Sequence, residues 1–394
     1  MWAACRPGNT RVPGAIGGEL QPVDTLKLTV KPRSLRTIAV SPDGLRIVSA
    51  GDDGTIRIWN AANLKWLHEV HAGNEPIYSI AFSADGSLLA SASWDGSVRV
   101  WNANTFAPKA TFRASDDNGP VKQNGVEFAP ANNARFIASA GQDGNVWIWD
   151  LQDASRIRKW GDSNSPVRSL SFAPNNSGAL VTASFDGKLR FFTEDQKIRD
   201  VPVTSGKLLH VAYSPKGNLV ASVGVDSSRN VLKLWDAATR TLRSSYTAAH
   251  DGANSLAWSR DSEQVAVGEG ASKKEPPAVD LWDLKSGART VFMGHTEDVE
   301  AVAFHPNRKW MISASEDGIM KIWNMADGKE LLSLAGFADG QFVAYAPSGC
   351  YTGSNDASKF VTYVTSGPDA HDTHDNGKNS MFIPADSTEV LLPH

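Results

Sequence analysis

The sequence predicts an all-β propeller of four-stranded antiparallel blades, and three observations carry that prediction. A short phrase recurs eight times: two small or apolar residues, an aromatic or Val, then a turn resembling Ser-Pro-Asp-Gly. Its third residues (Val40, Phe82, Phe128, Phe172, Tyr213, Trp258, Phe304, Tyr345) fall 41 to 46 positions apart, which is the period of a propeller blade. Each phrase is followed by a second apolar run, an Asp-Gly turn, a third run ending near Trp, and a more polar fourth run.

Each run has a physical reading. The innermost strand carries the phrase, as in IAVSPDG from Ile38 and IAFSADG from Ile80. The small residue before its aromatic (Ala39, Ala81, Ser171, Ala212, Ala257, Ala303, Ala344) fits crowding near an axis, and Glu127 departs from that rule. The second strand is apolar, as in LLASAS at Leu88 to Ser93. The third follows Asp-Gly, as in GDDGTIRIWN and SEDGIMKIWN, and Asp-Gly favours two-residue hairpins because Gly tolerates a positive φ. The outer strand is polar, as in KWLHEV and RTLRSSY. Third strands are expected to end near Trp59, Trp101, Trp149, Phe192, Trp235, Trp282, Trp323 and Tyr363, with no substantial helix between 30 and 364.

Seven repeats are clear and the eighth is degenerate: YTGSND and KFVTYV follow its phrase, without a polar fourth run. The missing strand is available as TLKLTV at Thr25 to Val30, and borrowing it would leave no open edge. Eight blades are therefore favoured, closed by that N-terminal strand. Seven are the alternative, with the chain after Leu334 packed outside the ring. The expected organisation is a flexible leader over 1–24, the propeller over 25–364 and a flexible tail over 365–394.

Composition narrows the function. The 394 residues are 41% hydrophobic and 21% charged, with 39 basic and 43 acidic side chains and a net charge of −4. No basic stripe advertises nucleic-acid binding. No apolar run is long enough to span a bilayer, and the N-terminus lacks the apolar region of a secretory signal. Two cysteines are too few for a disulfide framework and fit a reducing compartment. A cytoplasmic protein is expected, binding neither nucleic acid nor membrane. No nucleophile elbow, HExxH, CxxC pair, P-loop or GxGxxG is present, so neither an enzyme nor a cofactor is expected. The tail run His371, Asp372, His374, Asp375 has metal-binding residue types but no supporting sequence around it, and no metal site is assigned.

The Trp-Asp and Trp-Asn endings, the turn Asp and the Ser or Thr four residues before it (Ser49, Ser91, Ser139, Thr182, Ser222, Ser313, Thr352) make the chain resemble the WD-repeat family. The resemblance implies a structural network in each complete repeat, joining a His, the Ser, the turn Asp and the Trp. Two repeats hold all four members: His71, Ser91, Asp95 and Trp101, and His295, Ser313, Asp317 and Trp323. It also implies that partners meet the face bearing the loops into the innermost strands and the turns before the third strands. Position by position, that face carries Arg36, Tyr78, Lys122, Arg168, Trp94 and Phe185. Large aromatics on hairpin turns are unusual unless something covers them, and Trp, Tyr and Arg dominate binding hot spots.

The leading expectation is a non-catalytic scaffold, itself monomeric, that holds a protein or peptide within a larger complex. With Arg36, Arg168, Lys122 and Lys207 near the mouth, an acidic segment is the favoured ligand. Two alternatives stand beside it. The ending FADGQFVAYAPSGCYTGS resembles the terminal element of bacterial WD-repeat chains tied to caspase-like peptidases, which implies a regulatory module acting on an effector in trans. A propeller enzyme using the central channel is the third reading.

Overall fold

The computed structural model describes residues 25–130, 135–153, 157–161, 164–175, 177–193, 197–226, 229–247, 252–271, 275–347, 351–364, 372–374 and 383–384. The leader 1–24 lies outside them. Seven four-stranded antiparallel blades follow one another along the chain, six as separate sheets and the seventh as the first four strands of a seven-stranded sheet. Their innermost strands are Leu35–Val40, Ile77–Phe82, Gln123–Phe128, Val167–Phe172, Leu208–Tyr213, Ala253–Trp258 and Val299–Phe304. Each packs beside the next, and the seventh packs beside the first, so blades 1 to 7 close a ring. Third strands end within one residue of the Trp or its substitute, at Asn60, Asn102, Asp150, Phe192, Asp236, Asp283 and Asn324. Among the described residues the only helical pieces are the 3-10 turns Ala338–Gly340 and Ala357–Phe360. None is long and apolar enough to cross a membrane.

Burial follows the radial logic. The second strands Leu88–Ser93 and Trp310–Ser315 are buried at every position, because neighbouring blades cover both faces. The outer strands Pro108–Arg113 and Leu242–Thr247 are largely exposed. The Asp-Gly turns differ from the expected two-residue form. Gly54, Gly96 and Gly318 donate N–H bonds to the carbonyls of Gly51, Ser93 and Ser315, three residues back. Their φ values are +66°, +83° and +80°, so each glycine ends a three-residue loop in the left-handed region. The turn Asp explains the difference: its carboxylate accepts the N–H two residues on, as in Thr55 to Asp53 at 3.0 Å and Ser97 to Asp95 at 2.9 Å, which favours the wider turn.

The eighth repeat does not form a blade, and the expectation of eight is corrected to seven. Blade 7 keeps Glu330–Gly336 as its own outer strand. The phrase strand Phe342–Tyr345 turns back on that strand, pairing Leu334 with Ala344, and so extends the sheet outward instead of reaching the axis. A blade has to be apolar on both faces. The second strand here, Tyr351–Gly353, has three residues and a single large apolar side chain. The N-terminal strand does pair where expected, Thr25–Leu28 against Val361–Val364, but this pairing lies in a separate sheet outside the ring. Asp372–His374 and Ile383–Pro384, in the segment expected as tail, add short strands to this extension.

The extension covers the seam between blades 7 and 1. Phe342, Ala344 and Ala346 join one cluster with Ile47, Trp59 and Leu64 of blade 1 and Ile312, Ile322 and Leu334 of blade 7. The Phe342 ring meets Trp59 edge-on at 5.6 Å. Outside this wedge a small second core holds Phe337, Val343, Tyr351, Ala357 and Val361, with Leu26, Leu28 and Phe360 against it.

Polar side chains on the innermost strands tie successive blades together from blade 1 to blade 5. Thr37 accepts the Ile80 N–H at 3.2 Å, Ser79 that of Val126 at 3.2 Å, and Ser171 that of Tyr213 at 3.1 Å. Glu127 performs this task between blades 3 and 4, which accounts for its departure from the small-residue rule. Its carboxyl accepts the Phe172 N–H at 3.1 Å and the Ser171 hydroxyl. Burial outweighs those two bonds and pushes the carboxyl up to about 8, so it is largely neutral at pH 7 when folded.

Two outcomes follow from these contacts. A chain lacking 1–29 and 337–394 should keep its β-sheet circular dichroism and melt in one transition, at a lower temperature because Trp59 loses Phe342. Loss of the sheet signal would show that the ring needs an eighth unit. The raised Glu127 pKa means that its stabilising contribution is complete below about pH 4.5 and is lost as pH rises through about 8. Against Glu127→Gln, the wild-type melting temperature should therefore fall as pH increases across that window. A pH-independent difference between the two proteins would contradict the neutral carboxyl.

Candidate functional site

At the mouth of the channel, side chains from six blades converge. Tyr78 of blade 2 stacks on Trp94 at 4.3 Å, with the rings 9° from parallel. Lys122 of blade 3 lies over Trp94 at 4.1 Å. The guanidinium groups of Arg36 (blade 1) and Arg168 (blade 4) lie 5.5 and 5.3 Å from the Tyr78 ring centre. Arg168 reaches across the axis to Glu300 of blade 7 at 3.6 Å, and Arg36 approaches the same carboxylate at 3.7 Å. Asn254 of blade 6 donates to Glu300 at 3.3 Å. The mouth is therefore spanned by side chains.

The predicted contact residues thus come together, with one exception. Arg36, Tyr78, Trp94, Lys122 and Arg168 form one continuous stack of rings and cations. Phe185 stands apart, under Lys207 at 4.8 Å. All the rings are half-buried, because each leans on a neighbouring loop: the Trp94 indole donates to Asn124 at 3.2 Å, and Asn124 donates to Gln142 at 2.9 Å. Such stacks hold aromatics in one orientation before any ligand arrives.

The charge distribution corrects the expectation of a generally basic mouth. Arg36 is neutralised by a two-point pair with Asp52, at 2.8 and 3.1 Å, and by Glu316. With Glu300, these acids make the blade 7 and 1 side acidic. Lys122, Arg168 and Lys207 keep the blade 3 to 5 side basic. The role of Glu300 was not read from sequence, although an acid at the strand position occupied by Arg36 and Arg168 elsewhere was a usable signal.

Of the two predicted structural networks, the one in blade 7 is assembled. His295 binds Asp317 through Nδ1 at 2.9 Å and Ser313 through Nε2 at 2.8 Å, and the Trp323 indole donates to Ser313 at 2.8 Å. The blade 2 network is not formed. His71 is exposed at the end of the outer strand Trp66–His71, 3.2 Å from Asn74 and 3.4 Å from Thr55. Asp95 is taken by Arg99 at 2.7 Å, and the buried Ser91 hydroxyl has no partner. The cause is spacing: His295 precedes its Asp by 22 residues and His71 by 24, so Gly73 falls in the histidine's place. A Cβ on Gly73 would sit 3.5 Å from the Asp95 carboxylate. In blade 3 a buried glutamine substitutes, since Ser139 donates to Gln123 at 2.6 Å and receives the Trp149 indole at 2.9 Å. That substitution was missed, and a glutamine at the strand start was its only trace.

Among the described residues no group of three or more His, Cys, Asp or Glu could hold a metal ion. His371 and Asp375 lie outside those residues, as do the side chains of Asp372 and His374. Asp317→Ala should cost about 2–3 kcal/mol, because it strands a buried His and two backbone N–H groups, whereas Asp95→Ala should cost about 1 kcal/mol. Burial opposes ionisation of Asp317, but the His295 bond and two backbone N–H groups hold its carboxyl below the ordinary 3.8. Its contribution is therefore present above about pH 4 and lost as pH falls. Denaturant unfolding of both variants measures the gap, and equal losses would mean that the assembled network adds nothing.

Comparison with known proteins agrees with this architecture. The model of the WD domain, G-beta repeat family matches residues 22–60, 64–102, 108–150, 155–193 and 288–324, together half of the chain. Curated relatives include nuclear distribution protein PAC1 of Arthroderma otae, 25% identical over 284 residues, covering 62% of this chain and 60% of that protein. The proteins of the same name from Arthroderma benhamiae and Trichophyton verrucosum are 24% identical over 299 residues, covering 68% of this chain and 61% of theirs. The match thus spans about three fifths of the length of these relatives. Blades, repeats and family model converge, and the chain belongs to the WD domain, G-beta repeat (WD40) family.

Proposed function

We propose that this protein is a non-catalytic scaffold of the cytoplasm that holds a partner protein or peptide on the mouth face of its propeller. The observation that carries the reading is the stack Lys122–Trp94–Tyr78, bordered by Arg36 and Arg168. It offers two half-exposed rings, Trp94 on a hairpin turn and Tyr78 on an innermost strand, each held by its neighbours, and few rotamers remain to be lost on binding. Phe185 under Lys207 provides a second, separate ring on the same face. Family membership supports a protein-binding role, and two cysteines in 394 residues fit the reducing setting. The basic side formed by Lys122, Arg168 and Lys207 favours an acidic segment, with charge chiefly speeding encounter and fixing orientation.

The test is affinity capture with quantitative mass spectrometry, using wild type, Trp94→Ala, Phe185→Ala, and Leu242→Ala on an outer strand. Partners held by this face should be lost from the first two variants and kept by the third. With a purified partner, truncating Trp94 should cost about 2 kcal/mol or more, and Leu242→Ala under about 1 kcal/mol. An unchanged partner list in both aromatic variants would move the contact to another surface.

A further inference from the structure

Arg36 and Arg168 sit at equivalent strand positions, yet their hydrogen bonding differs. Arg36 donates to Asp52 and Glu316. Arg168 has only Glu300, at 3.6 Å, beyond hydrogen-bond reach, and the face of Tyr78. Its side chain is 17% exposed, so its guanidinium has given up most of its water without gaining an acceptor. Burial lowers its pKa against the opposing pull of Glu300, but an arginine stays charged at any physiological pH.

His210 stands next to it, on the neighbouring innermost strand and at the register held by Thr37, Ser79 and Ser169 elsewhere. Those side chains bond to the next blade, whereas the buried Nδ1 of His210 has no partner. Burial, and then the charge of Arg168, push its pKa down to about 3, so the ring is neutral. An arginine without a hydrogen-bond acceptor thus lies close to a neutral histidine whose Nδ1 has no partner. Lys122 and Lys207 flank them, each resting on a ring. The acids Asp52 and Glu316 are engaged with Arg36 on the far side, and Glu300 can release Arg168 because Asn254 and Arg36 remain with it.

We propose that Arg168, with His210 beside it, is the anchor that reads one carboxylate side chain of the partner segment. Arg168 supplies two parallel N–H···O bonds, and the neutral ring of His210 beside it adds no competing charge. This rests on the mouth face being the binding face. A single carboxylate suits the site better than a phosphate, because Glu300 stays nearby and would repel a dianion more strongly.

Random dodecapeptides displayed on phage and panned against the full-length protein test the assignment. Wild type should enrich sequences with Asp or Glu at one fixed position. In a synthetic consensus peptide, changing that residue to its amide should weaken binding at least tenfold to wild type, and less than twofold to Arg168→Met. Arg168→Lys, which keeps the charge but loses the fork, should lose several-fold. The anchor is overturned if no acidic position emerges, if the amide costs as much on Arg168→Met, or if phosphoserine at that position binds tighter than Asp. Enriched peptides that bind Trp94→Ala and Phe185→Ala as well as wild type would instead refute the binding face itself, and the anchor with it.

Discussion

A blade is apolar on both faces, and everything else in this structure depends on that constraint. A four-stranded sheet with fully buried second strands cannot be stable alone. Seven of them become stable only when the last covers the first. The chain meets this requirement without exchanging a strand between its ends, since blades 1 and 7 are each built from contiguous residues. Closure therefore rests on packing across a single seam, where Leu35 and Ile38 meet Ala301, Ile312 and Ala314. The degenerate eighth repeat packs against that seam, with Phe342 against Trp59. Leu26 and Leu28 of the N-terminal strand meet Val361 in the small core beside it.

The same constraint decides where polar groups are permitted. Between the innermost strands, backbone N–H groups of one blade face side chains of the next, and an unmet group there would be costly. Thr37, Ser79 and Ser171 meet it with hydroxyls, and Glu127 meets it with a carboxyl kept neutral by burial. Deeper in each blade the Trp indole needs an acceptor, and Ser49, Ser139, Ser222 and Ser313 provide one. What holds the serine then varies: His295 in blade 7, Gln123 in blade 3. The family's network is thus one solution among several to a single requirement.

Much of this was legible in the residues, and the limits have physical causes. Strand order, strand ends and the outer polar strand followed from apolar periodicity, which reports burial directly. The N-terminal strand's partner was also legible, since Thr25–Leu28 pairs with Val361–Val364, although in a sheet outside the ring and not as the closure of an eighth blade. The blade count was not. Repeat counting weighs a phrase by its pattern, whereas the ring weighs it by apolar volume, and Tyr351 alone does not fill a seam. The blade 2 network failed for a similar reason: a two-residue offset is invisible to a search by residue type and decisive for a hydrogen bond. At the mouth, the residues were identified by position, but their pairing was not, since Arg168 meets Glu300 only because 132 residues of ring bring opposite sides of the axis together.

That last contact shows how a stable ring can carry an unsatisfied site. A loop arginine with no acceptor would ordinarily swing into water, and dehydration would be relieved at little cost. Arg168 is held at the end of an innermost strand whose backbone is tied to both neighbours, and its guanidinium is fixed between Tyr78 and Glu300. The seam packing that closes the propeller is large compared with the cost of one poorly solvated cation, so the fold tolerates it. The mouth is consequently rigid, aromatic and short of acceptors on one side, and saturated with them on the other. On the binding face proposed above, such a surface would select a ligand by orientation as well as by charge, because only one direction of approach sets an acceptor against Arg168 while keeping apolar groups against Trp94.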